Sequence, residues 1–149
     1  VKAQMTNRIK KSNFKAQLSS NDKRNFWMSS NENKKYDLEE RTAVFGENVI
    51  VFVRTIKLDE VNKPLIRQIV RSSTSIGANY MEADGGVSKK DFRNKIGTCK
   101  KEAKETKHWL RMISKANPEK TEECRVLWKE AHELVLIFSK IFNNSKDPE

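Results

Sequence analysis

The chain has 149 residues, with 30 basic and 20 acidic side chains, a formal net charge of +10 and two cysteines. That length fits one domain plus a tail and can bury a core without disulfides or metals. No apolar run approaches the ~20 residues that cross a bilayer, and the basic N-terminus lacks the apolar stretch of a signal peptide, so a cytoplasmic location is expected.

The charge is uneven. Residues 1–27 carry Lys2, Arg8, Lys10, Lys11, Lys15, Lys23 and Arg24 against Asp22, a net of +6, and the remainder carries +4. A global argument from basicity toward nucleic acid therefore leans mostly on the tail. Residues 1–35 are rich in Asn, Ser, Lys and Gln, with scattered apolar residues, and read as a disordered basic extension with at most a short helix around Lys10–Leu18. Met28, just before the organised region, is the expected natural start, with 1–27 upstream of it; a basic arm that touches phosphates is the alternative.

Residues 36–143 read as four helices. The first opens at Asp37-Leu38-Glu39-Glu40, a capping-box pattern, and runs toward Lys57. Phe45, Val49, Phe52, Val53 and Ile56 recur at helical spacing, while Val44, Ile50 and Val51 widen the apolar face beyond one core's need. The second begins at Asn62-Lys63-Pro64, with Asn62 as cap and Pro in the first turn. Its core series is Ile66, Ile69, Ser73, Ile76, Tyr80 and Ala83, and Asp84-Gly85-Gly86 ends it. The third starts at Ser88 with Asp91 three residues on, and buries Phe92, Ile96, Cys99, Ala103, Thr106, Leu110 and Ile113 before Asn117-Pro118. The fourth starts near Glu119, with Cys124, Leu127, Ala131, Leu134, Phe138 and Ile141 as its seam, thickened by Trp128, Val135 and Phe142. Residues 144–149 read as a disordered tail. Sustained three-four spacing and short breaks predict an all-α, antiparallel up-down-up-down four-helix bundle. The cysteines fall on core positions, so buried, reduced thiols are expected.

Candidate sites divide along the helix faces. Glu105-x-x-His108 has the form of half a di-iron motif, but the second copy fails at Lys129, three residues before His132, and both Glu105 and His108 flank the inward Thr106. No metal or other cofactor is expected. The run Arg71-Ser72-Ser73-Thr74-Ser75 lacks a nucleophile elbow or a phosphate loop around it. Ser72, Ser75, Asn79 and Glu82 instead share a polar stripe flanking the core, beside Gly77-Ala78, and read as a helix contact within or between chains. On the third helix Lys90, Arg93, Lys100, Lys104, Lys107 and Arg111, with Gly97 among them, occupy one stripe. Asp91, Glu102 and Glu105 lie on the other flank, with Lys95 the exception. Such segregation suits an anionic partner; the plain alternative is a solvated, solubilising face. Trp109, in line with Glu102, would mark a subunit contact if exposed. No aromatic residue is interleaved within the basic stripe, so stacking on bases is not expected there.

The residues Tyr36-Asp37-Leu38-Glu39-Glu40-Arg41-Thr42 and Gln68 to Ala83, with the block Ser75-Ile76-Gly77-Ala78-Asn79-x-x-Glu82-Ala83, resemble the bacterial 23S rRNA intervening-sequence proteins. The likeness continues through Ser88-Lys89-Lys90-Asp91-Phe92, Glu102 to Thr106, Trp109-Leu110 and Glu133-Leu134. It implies a cytoplasmic bundle that assembles as a ring-like homopentamer and carries no enzymatic activity. A related accessory protein of diversity-generating retroelements is a basic pentameric barrel that works with a reverse transcriptase and nucleic acid. The expected function is a non-enzymatic homo-oligomeric module that binds RNA or DNA electrostatically, or a nucleic-acid-processing protein. The alternative is a protein-binding assembly factor with no nucleic-acid contact.

Overall fold

The computed structural model describes residues 37–86 and 88–145. The expected Met28 start, the basic extension and most of the C-terminal tail lie outside them. Among the described residues the secondary structure is helical: α1 Leu38–Val53, α2 Asn62–Asp84, α3 Lys89–Ala116 and α4 Thr121–Asn144, the last entered through a 3-10 turn at Pro118–Lys120. Position 144, expected in the tail, is thus still helical.

Helix α1 begins with Glu39 and Glu40 in its first turn, where carboxylates complement the helix dipole. It buries Leu38, Thr42, Phe45, Gly46, Val49, Phe52 and Val53, and it stops four residues short of the expected Lys57. The backbone there tightens: Thr55 N–H donates to Phe52 O (3.0 Å), Ile56 N–H to Val53 O (3.1 Å), and the Thr55 hydroxyl also donates to Phe52 O (2.7 Å). Ile56 remains buried although the helix has ended.

The start of α2 corrects the expectation for Asn62. Its side chain caps nothing; Asp59 Oδ1 accepts from the N–H groups of Val61 (3.0 Å) and Asn62 (2.7 Å) instead. Asn62 is buried and forms a reciprocal amide pair with Asn117, at 3.0 and 2.9 Å. That pair ties the α1–α2 connection to the end of α3. At the other end α2 stops at Asp84, where Asp84-Gly85-Gly86 was expected to end it, and it does so without a left-handed turn. Gly85 has φ −84°, and no described residue has positive φ. What Gly86 supplies is space: a Cβ there would lie 2.9 Å from Ala83 O.

Helix α3 begins as the sequence indicates, with Ser88 Oγ accepting from Asp91 N–H (3.1 Å). Its buried residues are Ile96, Cys99, Ala103, Thr106, Leu110 and Ile113, and those of α4 are Cys124, Leu127, Ala131, Leu134, Val135 and Phe138. Ile66, Tyr80, Phe92, Ile141 and Phe142 pack partly buried against this core. Fully burying side chains such as Phe45, Ile69, Ile76 and Phe138 contributes about 1.5–3 kcal/mol each.

Helix α2 packs along α3, α3 along α4, and α1 along α2, while α1 and α4 meet sparingly. Between α2 and α3, Arg71 meets Glu102, Ser72 meets Thr106, Ile76 meets Cys99 and Glu82 meets Lys95. From Ser72 through Ile76 to Glu82 the numbers rise on α2 as they fall on α3, from Thr106 through Cys99 to Lys95. Gly77 brings α1 close, since a Cβ there would lie 3.4 Å from Thr42 Oγ1. Helices α1 and α4 are joined by a forked ion pair from Arg41 to Glu130, at 2.6 and 3.1 Å.

Candidate nucleic-acid interface

The two flanks of α3 have different neighbours, and this explains their charge. On the α2 side, Arg71 donates to Glu102 (3.2 Å) and to Glu105, and Lys95 donates to Glu82. The hydrogen bond to Glu105 comes first among the contacts that raise the Arg71 pKa above its ordinary value. The acidic flank is therefore spent on a contact between helices. Glu105 is held by Arg71 and His108 lies edge-on to Trp109, so neither half of Glu-x-x-His is directed at the other.

On the α4 side the six basic residues form no ion pair with any described residue. They divide into two rows. Lys90, Lys104 and Arg111 are exposed. Arg93, Lys100 and Lys107 are half-buried and lean on aromatic rings of α4. The Arg93 guanidinium lies 4.0 Å from the Phe142 ring centre and donates to Phe142 O (3.4 Å), and the Lys100 ammonium lies 5.7 Å from the same ring. Gly97 is the one uncharged member because Phe142 occupies its space: a Cβ there would sit 3.2 Å from the ring. The Lys107 ammonium lies 4.3 Å from the Trp128 ring centre and donates to His132 Nδ1 at 3.1 Å. An ammonium has only hydrogens to give, so Nδ1 is the acceptor.

Aromatic rings thus do accompany the stripe, contrary to the expectation. They come from α4, and the sequence of α3 could not reveal them. Trp128, expected to thicken the seam, is 38% exposed and stacks on His132 with ring centres 5.3 Å apart.

The proposed polar contact is also redistributed. Ser72 is fully buried in the core and its hydroxyl pairs with Thr106 Oγ1 at 2.8 Å. Ser75 and Asn79 are half-buried, and Asn79 Nδ2 donates to Ser75 O at 2.8 Å. Glu82 is exposed beside Lys95, so the stripe turns toward α3 of the same chain. Trp109 does not meet the condition of exposure set for a subunit contact. It packs partly buried against the core, and its indole N–H is buried without a partner. Besides Trp128, the exposed large apolar side chains are Ile50 and Val51 of α1, Leu58 and Val61 of the following connection, Met81 of α2, and Val126 and Leu136 of α4, among the described residues.

Among the described residues no group of three or more His, Cys, Asp or Glu side chains could hold a metal ion. No described helix is long and apolar enough to cross a membrane.

This fold has relatives. A crystal structure of a protein of unknown function from the S23 ribosomal protein family of Bacteroides thetaiotaomicron superposes with a TM-score of 0.63 at 27% identity, covering 71% of this chain and 98% of that one. No curated protein matches. The model of the 23S rRNA-intervening sequence protein family matches residues 34–141, and the chain belongs to that family.

Proposed function

We propose that the protein is a non-enzymatic, homo-oligomeric bundle that binds RNA or DNA through the α4-facing flank of α3. The observation that carries this reading is a row of six cations, Lys90 to Arg111, without a carboxylate partner among the described residues, beside acids that are already paired. Unneutralised cations on one face attract a polyanion, and each phosphate they meet releases condensed counterions. Repetition of that face around an oligomer multiplies the field. The exposed Ile50 and Val51 supply the apolar surface for contact between copies.

The test is a salt titration of binding to a mixed RNA pool. Lys90, Lys104 and Arg111 are replaced together by Gln, because these exposed residues can lose their charge without emptying a packed position. Helicity is expected to stay unchanged. The slope of log K against log salt is expected to become shallower by about 0.7–0.9 for each phosphate contact removed. Salt-independent binding, or a triple variant that binds as the wild type does, would assign the stripe to solvation and leave the protein-binding role in its place.

A further inference from the structure

The reading above makes the α3 flank a charged surface, and charge alone gives no preference for an unpaired base. The rings of α4 add something that charge does not. Lys107 touches both Trp128 and His132, so the ammonium and the imidazole lie on one side of the indole. Trp128 as a residue is 38% exposed, so this contact does not cover it from solvent. Two of its helical neighbours, Arg125 and His132, are polar, and Lys107 faces it from α3. Exposed Lys104 and Arg111 lie within one turn of Lys107 on α3.

From this arrangement we infer that the Trp128 indole, backed by His132 and Lys107, is a stacking platform for an unpaired nucleobase, with Lys104 and Arg111 meeting the adjoining phosphates. The proposal rests on the charge reading and narrows it to single-stranded nucleic acid. A base can lie flat on an indole only when its own face is free, and in a duplex both faces are covered by neighbouring pairs. The π-electrons of the indole, polarised by an ammonium on one side, present a flat surface that every base can use, so the contact tolerates any sequence. The partner chemistry is thus a planar ring attached to an anionic backbone, which matches one flat aromatic face rimmed by unpaired cations.

The experiment compares wild type, Trp128→Leu and Trp128→Phe for binding to a labelled single-stranded RNA, the same sequence as DNA, and the corresponding RNA duplex, at one salt concentration. Light scattering and circular dichroism are recorded on the same samples. Trp128→Leu is expected to weaken binding to the single strands by about five- to a hundred-fold while duplex affinity stays unchanged, and Trp128→Phe is expected to retain most of the binding. Equal loss on RNA and DNA places the contact on the base; a larger loss on RNA brings in the 2′-hydroxyl beside the stacked ring. Wild-type binding that is intact and indifferent to Trp128 overturns the platform and leaves the charge reading standing. Absence of any wild-type binding overturns both. A Trp128→Leu protein of lower mass, with single-strand and duplex binding lost together, assigns the ring to a contact between copies and overturns the platform.

Discussion

Asn62 and Asn117 stand 55 positions apart and share two hydrogen bonds in a buried site. Each amide is otherwise satisfied, Asn62 Nδ2 by Lys57 O (2.9 Å) and Asn117 Nδ2 by Ile113 O (3.0 Å). Truncating one leaves its partner's polar atoms desolvated and unpaired. Asn117→Ala is expected to cost about 1–3 kcal/mol in a urea titration, and the double variant with Asn62→Ala less than the sum of the two singles. Additive losses would show that the pair does not act as a unit. Cys99 and Cys124 make a second prediction at this scale. Both thiols are buried, and desolvation pushes each from its ordinary value of 9.0 up to about 12. The folded state holds neutral thiols where the unfolded chain would ionise. Their contribution is therefore intact below pH 9 and is lost as the pH rises toward 12. Thermal midpoints are expected to fall more steeply above pH 9 in the wild type than in a Cys99→Ala, Cys124→Ala protein, and thiol reagents should label the native protein far more slowly than the denatured one. Parallel slopes, or equal labelling rates, would place the thiols at the surface.

At the scale of the helix, α3 was the most legible element. Ser88, with Asp91 three residues on, announces its start, and the steps of three and four from Ile96 to Ile113 announce its buried face. Its charge segregation was legible as well, but the cause was not. The acids follow from Arg71, which α2 supplies, and three of the cations follow from Phe142 and Trp128, which α4 supplies. A helical period tells which residues share a face. It does not tell which neighbour that face meets, because that depends on packing over residues tens of positions away. Trp109 and Trp128 show the difference. Both lie beside an apolar seam in sequence, yet one packs against the core and the other opens to solvent.

For the whole molecule, α1 is the helix packed most sparingly on the other described helices. It packs on α2 and reaches α4 chiefly through Arg41 and Glu130, leaving Ile50 and Val51 40% and 56% exposed. Apolar surface of this kind favours association with a second copy. Light scattering at micromolar concentration is expected to return a multiple of the 17.3 kDa chain mass. Replacing Ile50 and Val51 with Glu is expected to return the chain mass itself with helicity retained. A wild type at the chain mass would remove oligomerisation from the proposed function.

By itself the sequence determined the helical class, the four segments, nearly all of the buried register and the basic stripe of α3. These are properties of spacing along one helix, set by a backbone period that local residues reveal. Tertiary structure alone decided that Asn62 clasps Asn117 instead of capping α2, that Ser72 enters the core to meet Thr106, and that the rings of Trp128, His132 and Phe142 line the cationic flank. Each of these joins residues from different segments. A buried amide must find its partner wherever packing brings one, and an indole is exposed or covered according to the helix laid beside it.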